Sequence, residues 1–183
     1  MRVIGIDPGL RHTGWGIIEF QNNQIKHVDD GSISPSTKLG DGQRLLVIKE
    51  QLKKIIDQYD PDASVIEKIF VGLGTASSLK LGMARGASMI ALAEAGLCIR
   101  ELSPKFVKKT VTGYGAASKE QIKSMIEKLI NIVPKNEDSS DALAIAISAQ
   151  NIDFVSSFNL SEKNNGLNIA IAKALLKEKN NII

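Results

Sequence analysis

Cysteine is almost absent from this 183-residue chain. Cys98 stands alone, so no internal disulfide can form, and its apolar neighbours predict a buried, inert thiol. Histidine is nearly as scarce, with only His12 and His27. Neither these two nor Cys98 has the spacing of zinc ligands. No apolar run approaches the roughly 18–20 residues that a membrane span needs, and repeats and low-complexity linkers are missing. The opening Met1-Arg2-Val3-Ile4-Gly5-Ile6-Asp7 reads directly as a strand and leaves no room for a signal peptide. The expectation is a soluble cytoplasmic protein with no membrane contact. Its length suits one domain of the usual size, roughly 100–200 residues.

Excess charge is also small, at +3, but its distribution is uneven. Between Arg100 and Lys135 eight cations face three anions, so this stretch carries the whole surplus and the rest of the chain is slightly acidic. A basic patch on a balanced domain suits a polyanionic partner, although lysine-rich solvated helix faces produce the same count.

Apolar alternation over residues 2–7, 13–20 and 25–33, with Asp7-Pro8-Gly9 and Gln21-Asn22-Asn23-Gln24 between, predicts three strands in an antiparallel meander. Gly40-Asp41 introduces a helix with Leu45, Ile48, Leu52, Ile55 and Ile56 on one face, stopped at Asp60-Pro61-Asp62. A buried strand over 63–69 follows. Beyond a glycine-bearing loop at 71–75, a small-residue helix runs from about 77 to 95, where Ala84, Gly86 and Ala87 permit close packing. The next strand covers 97–102. Ser103 caps a short helix with Pro104 at its first position, and Ser118 with Gln121 forms a capping box for another. A last Ala/Ile-rich helix begins at Asp138-Ser139-Ser140-Asp141 and reaches about Gln150. Three strands followed by alternating helix and strand give an α/β fold, a mixed sheet with helices on both faces. The domain spans 1–155; the tail, 156–183, is Asn- and Lys-rich and partly helical.

Four carboxylates sit where core-building does not ask for them. Asp7 and Glu67 end apolar strands, and Asp138 and Asp141 lie one helical turn apart, able to face the same point. Each has a plain structural reading. Asp7 could make an Asx-turn, Glu67 could guard a sheet edge, and Asp138 with Asp141 could be an N-cap with a first-turn acid that the helix dipole favours. Together they suggest acids converging at one sheet end, where hard divalent cations would neutralise their repulsion. Oxygen-only donors favour Mg²⁺ or Mn²⁺, and two such ions can serve phosphodiester hydrolysis. A phosphate-cradling turn of an ATPase lobe is the competing reading of Asp7-Pro8-Gly9, but that architecture needs a second lobe for which 183 residues leave no room.

Five segments, in order, resemble the RuvC Holliday-junction resolvases over about residues 2–150. They are Gly5-Ile6-Asp7-Pro8-Gly9-Leu10-Arg11-His12-Thr13-Gly14-Trp15-Gly16, Ile66-Glu67-Lys68-Ile69-Phe70, Ser77–Gly86, Thr112–Lys119 and Asp138-Ser139-Ser140-Asp141-Ala142-Leu143-Ala144-Ile145-Ala146. The resemblance implies an RNase H-like fold of the retroviral integrase superfamily with a five-stranded mixed sheet. It also implies a homodimer, and paired Mg²⁺-dependent nicks in two like-polarity strands of a four-way DNA junction, leaving 5′-phosphate ends. Asp7, Glu67, Asp138 and Asp141 become the catalytic, metal-holding acids, with two ions per site and Mn²⁺ able to substitute. Phe70 becomes a ring that stacks on unpaired bases, and Lys108 and Lys119 reach the scissile region. Lys109, Lys80 and Arg85 contact the DNA backbone, and the RuvA–RuvB branch-migration complex is the implied partner. Val71-Gly72-Leu73-Gly74-Thr75 departs from the more polar loop of relatives. The helix around Ala84–Ala87 is the candidate dimer contact. Two other readings remain: a nuclease of RNA or RNA–DNA hybrids, and a junction-binding protein without catalysis.

Overall fold

Side-chain alternation along β1 (Arg2–Asp7) sends Ile4 and Ile6 to one face of the sheet and Val3, Gly5 and Asp7 to the other. The computed structural model describes residues 1–22, 24–69 and 76–152. Phe70, the 71–75 loop and the tail from 156 lie outside the described residues. β1 pairs antiparallel with β2 (Thr13–Gln21), which pairs antiparallel with β3 (Gln24–Ile33). On its other side β1 pairs parallel with β4 (Ala63–Glu67), and β4 with β5 (Ile99–Leu102). The order is β3-β2-β1-β4-β5, the expected five-stranded mixed sheet.

The two faces are covered in different ways. Ile4, Ile6, Ile17 and Ile66 pack on α1 (Asp41–Tyr59) through Ile48, Leu52 and Ile56, and on α2 (Ala76–Glu94) through Ala84, Ala87, Ala91 and Leu92. On the opposite face lies α5 (Glu137–Ile147), which runs against β1 and β2. Glycines let it approach. A Cβ on Gly5 would stand 2.3 Å from the Ala142 carbonyl oxygen, and one on Gly14 2.1 Å from that of Asp138. On Gly16 it would meet the Leu143 side chain at 2.8 Å. Backbone therefore touches backbone, with no side chain between.

Beside α5 stand α3 (Pro104–Thr112) and α4 (Lys119–Ile130). Their starts follow the sequence rules. The Ser103 hydroxyl accepts from the Phe106 amide, and the Ser118–Gln121 capping box is formed in both directions. Two predicted strand ends are shorter in the structure. Pairing of β5 starts at Ile99 because the Leu97 amide donates to the Leu92 carbonyl and closes α2 instead. β4 stops at Glu67. The helix that begins near Asp138 ends at Ile147 and continues as a 3-10 turn over Ser148–Asn151. Cys98 is half-buried rather than buried.

The glycine contacts set a stability test. Gly5→Ala should cost about 3 kcal/mol in urea unfolding, because α5 must lift from β1 to admit a methyl group. Gly42→Ala, in open space near the start of α1, should instead stabilise by roughly 0.5–1 kcal/mol.

Candidate active site

The paired residues Ile6 and Ile66 are the last of the β1–β4 ladder, so Asp7 and Glu67 stand side by side one step beyond. By alternation both lie on the α5 face. Asp7 also pairs with Gly14 of β2, the glycine that lies under the Asp138 carbonyl. Close packing at Gly14 thus brings the first turn of α5, with Asp138 and Asp141, to the end of β1 that carries Asp7. A cavity of about 280 Å³ opens there, walled by Asp7, Glu67, Lys108, Lys119 and Asp141 among others.

Of the plain structural readings of these acids, only that of a first-turn acid on α5 holds, for Asp138. Glu67 guards no edge, since β4 lies between β1 and β5. Asp138 does not cap α5: the cap is Asn136, whose side chain accepts from the Ser139 amide at 2.9 Å, leaving Asp138 free in the first turn. The turn after Asp7 is closed by Thr13, whose hydroxyl donates to the Gly9 carbonyl at 2.7 Å. Among the described residues, the Asp7 carboxylate accepts none of the hydrogen bonds that hold this turn.

Electrostatics register the crowding. Burial raises the Asp7 carboxyl most, then the charges of Glu67, Asp141 and Asp138, against the opposing pull of Lys119; the result is a pKa of about 7. Glu67 is raised as well, by burial first and then by Asp141, with Lys119 and Lys108 countering. Lys119 Nζ lies 3.2 Å from Asp141 Oδ2, and the charge of Asp141 in turn raises the lysine pKa. Lys108 Nζ donates to the Ala117 carbonyl at 3.0 Å, which holds the ammonium at the cavity wall.

These donors suit a hard divalent cation. All are carboxylate oxygens, and the repulsion and burial that raise Asp7 and Glu67 are what a bound positive charge would relieve. The set is open rather than closed: among the described residues no three of His, Cys, Asp and Glu are gathered tightly enough to form a ready ligand group.

The remaining predicted residues are placed unequally. Arg85 points elsewhere, to Glu101 of β5 at 2.6 Å, with Nε donating to the Glu67 carbonyl at 3.4 Å, so it braces the strand that carries the acid. Lys80 pairs with Asp41 at 3.3 Å, and Lys109 is exposed in the last turn of α3. Phe70 lies outside the described residues.

Sequence reasoning missed a clasp that fixes the chain just before α5. The Lys135 amide donates to Asp30 Oδ2 at 2.8 Å and its ammonium to Asp29 Oδ1 at 2.5 Å. Tyr59 also donates to Asp29, and His27 Nε2 lies 2.8 Å from Asp30 Oδ1. Although burial pushes the Asp29 carboxyl up, the bonds from Lys135 and Tyr59 outweigh it and hold it below its usual range. The partners are 105 and 106 residues apart, so no local pattern could reveal them. Asn136 as the cap was detectable, from its spacing to Ser139.

The family model described as "Crossover junction endodeoxyribonuclease RuvC" matches residues 3–149. A protein of that description from Ruegeria pomeroyi is 47% identical over 150 residues, covering 80% of this chain and 89% of the relative. One from Geobacter sulfurreducens is 45% identical over 148 residues, covering 80% and 90%. The solved structure of T. thermophilus RuvC in complex with Holliday junction substrate superposes with a TM-score of 0.77 at 27% identity, covering 82% of this chain and 93% of that one. The yeast mitochondrial Holliday junction resolvase Ydc2, at 14% identity and a TM-score of 0.56 over 80% and 77% of the two chains, shares the fold.

The raised Asp7 carboxyl gives a test in metal-free protein. Its pKa of about 7 exceeds the ordinary 3.8, so the native state holds the proton more tightly than the unfolded chain. The stabilisation is therefore complete below the ordinary value and lost as pH rises through about 7. Asp7→Asn should have a higher Tm than wild type at pH above 7, with the gap narrowing progressively as pH falls below 7. Parallel Tm curves across that range would contradict it.

Proposed function

Because this chain belongs to the RuvC family of crossover junction endodeoxyribonucleases, we propose that it resolves four-way DNA junctions by paired, metal-dependent nicks in two strands of like polarity, in recombination and repair. The observation that carries the reading is the convergence of Asp7, Glu67 and Asp141 on one cavity that also holds two lysines. A protein that only bound DNA would gain nothing from burying negative charge against a polyanion.

In this reading Asp7, Glu67, Asp138 and Asp141 hold two Mg²⁺ ions, with Mn²⁺ as a substitute. Such ions, when bound, lower the pKa of water and neutralise charge on the phosphoryl oxygens. A bound cation would favour the ionised form of Asp7, whose carboxyl burial and neighbouring acids raise to about 7. Lys119 orients Asp141 through its 3.2 Å contact and offers its remaining donors to the scissile phosphate. Lys108, tied to the Ala117 carbonyl, presents positive charge from the other wall. The products are 5′-phosphate and 3′-hydroxyl ends. By family resemblance Phe70 stacks on bases at the junction centre, and Lys109 touches the backbone. The resemblance gives Arg85 such a contact too, but its bonds to Glu101 and the Glu67 carbonyl favour a bracing role. The nuclease domain is residues 1–155, the protein is cytoplasmic, and RuvA–RuvB is its partner.

Two symmetry-related strands call for two symmetry-related sites, hence a homodimer. On the helix around Ala84–Ala87, the two alanines themselves are buried against the fold's own core. The outward stripe of α2 is the better candidate: Leu79, Met83, Gly86 and Ile90 recur at helical spacing, and Leu79 and Ile90 are 68% and 54% exposed.

The deciding experiment is cleavage of a labelled four-way junction with Mg²⁺, beside a linear duplex and an RNA–DNA hybrid. Symmetric nicks in the junction alone are expected. Asp7→Asn should keep junction binding, lose at least about 100-fold in cleavage, and lose most of the Tm increase that Mg²⁺ gives wild type. Cutting of the hybrid instead would keep the acids and change the substrate; binding with no cut under Mg²⁺ or Mn²⁺ would remove catalysis altogether. For the dimer, Ile90→Glu should sediment as a folded monomer. A dimeric variant would exclude the stripe.

A further inference from the structure

A second, larger groove of about 510 Å³ reaches Asp138 and is lined by no residue of α3 or α4. Its charged lining is Arg11, Arg44 and Lys80 against Asp138 alone. The cations come from three separate elements: the β1–β2 turn, α1 and α2. Asp138 is a wall of this groove and lies close enough to Asp7 for its charge to act there, so the groove lies beside the acids.

The turn that carries Arg11 is rigid. A Cβ on Gly9 would stand 2.2 Å from the His12 carbonyl oxygen, the Thr13 hydroxyl ties back to the Gly9 carbonyl, and Leu10 is buried. Arg44, 11% exposed, braces the turn from beneath by donating Nη2 to the Leu10 carbonyl at 2.9 Å. His12 is fixed to Ser34 at 2.8 Å. Arg11 is exposed at the tip and makes no hydrogen bond or ion pair among the described residues. The partner of Lys80, Asp41, is itself 37% exposed, and such a surface pair is worth little and exchanges readily for another anion. One free guanidinium and one loosely held ammonium therefore face the same open groove on a preorganised frame. An arginine fork suits a phosphate's paired oxygens.

We infer that this groove is a backbone-phosphate site for the DNA strand being cut, in which Arg11 is a ligand beside Lys80, whose backbone contact the family resemblance already implies, and Arg44 is a positioning residue. The inference rests on the reading of the chain as a DNA nuclease and extends it. A strand crossing the acids is gripped by Lys108 and Lys119 on one side and by Arg11 and Lys80 on the other. The four acids would otherwise repel the strand, and cations on both flanks hold the phosphate between them in register.

The test is junction binding by the full chain in EDTA, followed by anisotropy from about 50 to about 200 mM salt. Each neutralised phosphate contact contributes about 0.9 to the slope of log K against log salt. Arg11→Gln and Lys80→Gln should each weaken binding about 3- to 10-fold, equally for junctions of different sequence, and each lower the slope by about 1. Lys49→Gln serves as the charge-matched control, because Lys49 pairs with Glu94 at the opposite end of α2 from Lys80. Wild-type slopes and affinities in both groove variants, or an equal change in the control, would overturn the assignment. The two readings fail separately. A wild-type protein with no preference for junction over duplex would sink the junction reading, while the slopes measured on duplex would still decide the groove.

Discussion

The contact on which the rest of this structure depends is backbone against backbone, where α5 lies on the glycines of β1 and β2. Gly5 and Gly14 leave so little space that an added methyl would sit 2.1–2.3 Å from helix carbonyl oxygens. At that separation the helix has one height above the sheet and almost no freedom to tilt, since interiors are close-packed and cannot yield smoothly. Asp138 donates the very carbonyl that covers Gly14, and Gly14 is the β2 partner of Asp7. The acid at the end of a strand and the acids at the start of a helix are thus brought together by packing, over 130 residues of sequence.

That arrangement has an electrostatic cost, visible in the raised carboxyls of Asp7 and Glu67. Stability alone would not favour it, because burying like charges opposes folding. What makes it tolerable without a cation is partial protonation of Asp7, together with Lys119 and Lys108 at the cavity wall. The lysines have limited reach: one is held by Asp141 and the other by a carbonyl. The pocket is therefore poised for a hard positive charge while keeping ammonium groups at its rim, which is the arrangement a phosphodiester needs when its oxygens gain charge.

Much of this was legible in the sequence, and the division is physical. Signals acting within three or four residues were readable: the alternation of β1, the caps at Ser103 and Ser118, and the apolar face of α1 all formed as patterned. The acids stood out because strand ends and apolar helix starts do not otherwise demand them. One local signal was passed over: the α5 cap is Asn136, whose spacing to Ser139 marks it, and not Asp138. Ala84 and Ala87 illustrate another limit, since a small residue permits close approach without saying whether its own core or a second copy comes close. Least legible were the effects of long-range contact. The glycines at 5, 14 and 16 read as parts of strands and turns, and only the presence of α5 discloses why a side chain is excluded there.

The clasp at Lys135 explains how the acids can stay fixed while their surroundings differ. Glycine contacts set the height of α5, but a helix resting on a sheet could still slide along it. Asp30, 1% exposed and bonded to the Lys135 amide, with Asp29 holding the Lys135 ammonium, removes that freedom at the residue just before the Asn136 cap. Tyr59 at the end of α1 donates to the same Asp29, and Trp15 of β2 stacks near it with ring centroids 5.9 Å apart, so both faces of the sheet share the anchor. Helix height and helix register are then set by contacts with β1, β2 and β3, with α3 and α4 packed beside α5. A site held this way keeps its carboxylates where rigid elements put them, whichever lysines and arginines line the surface around it.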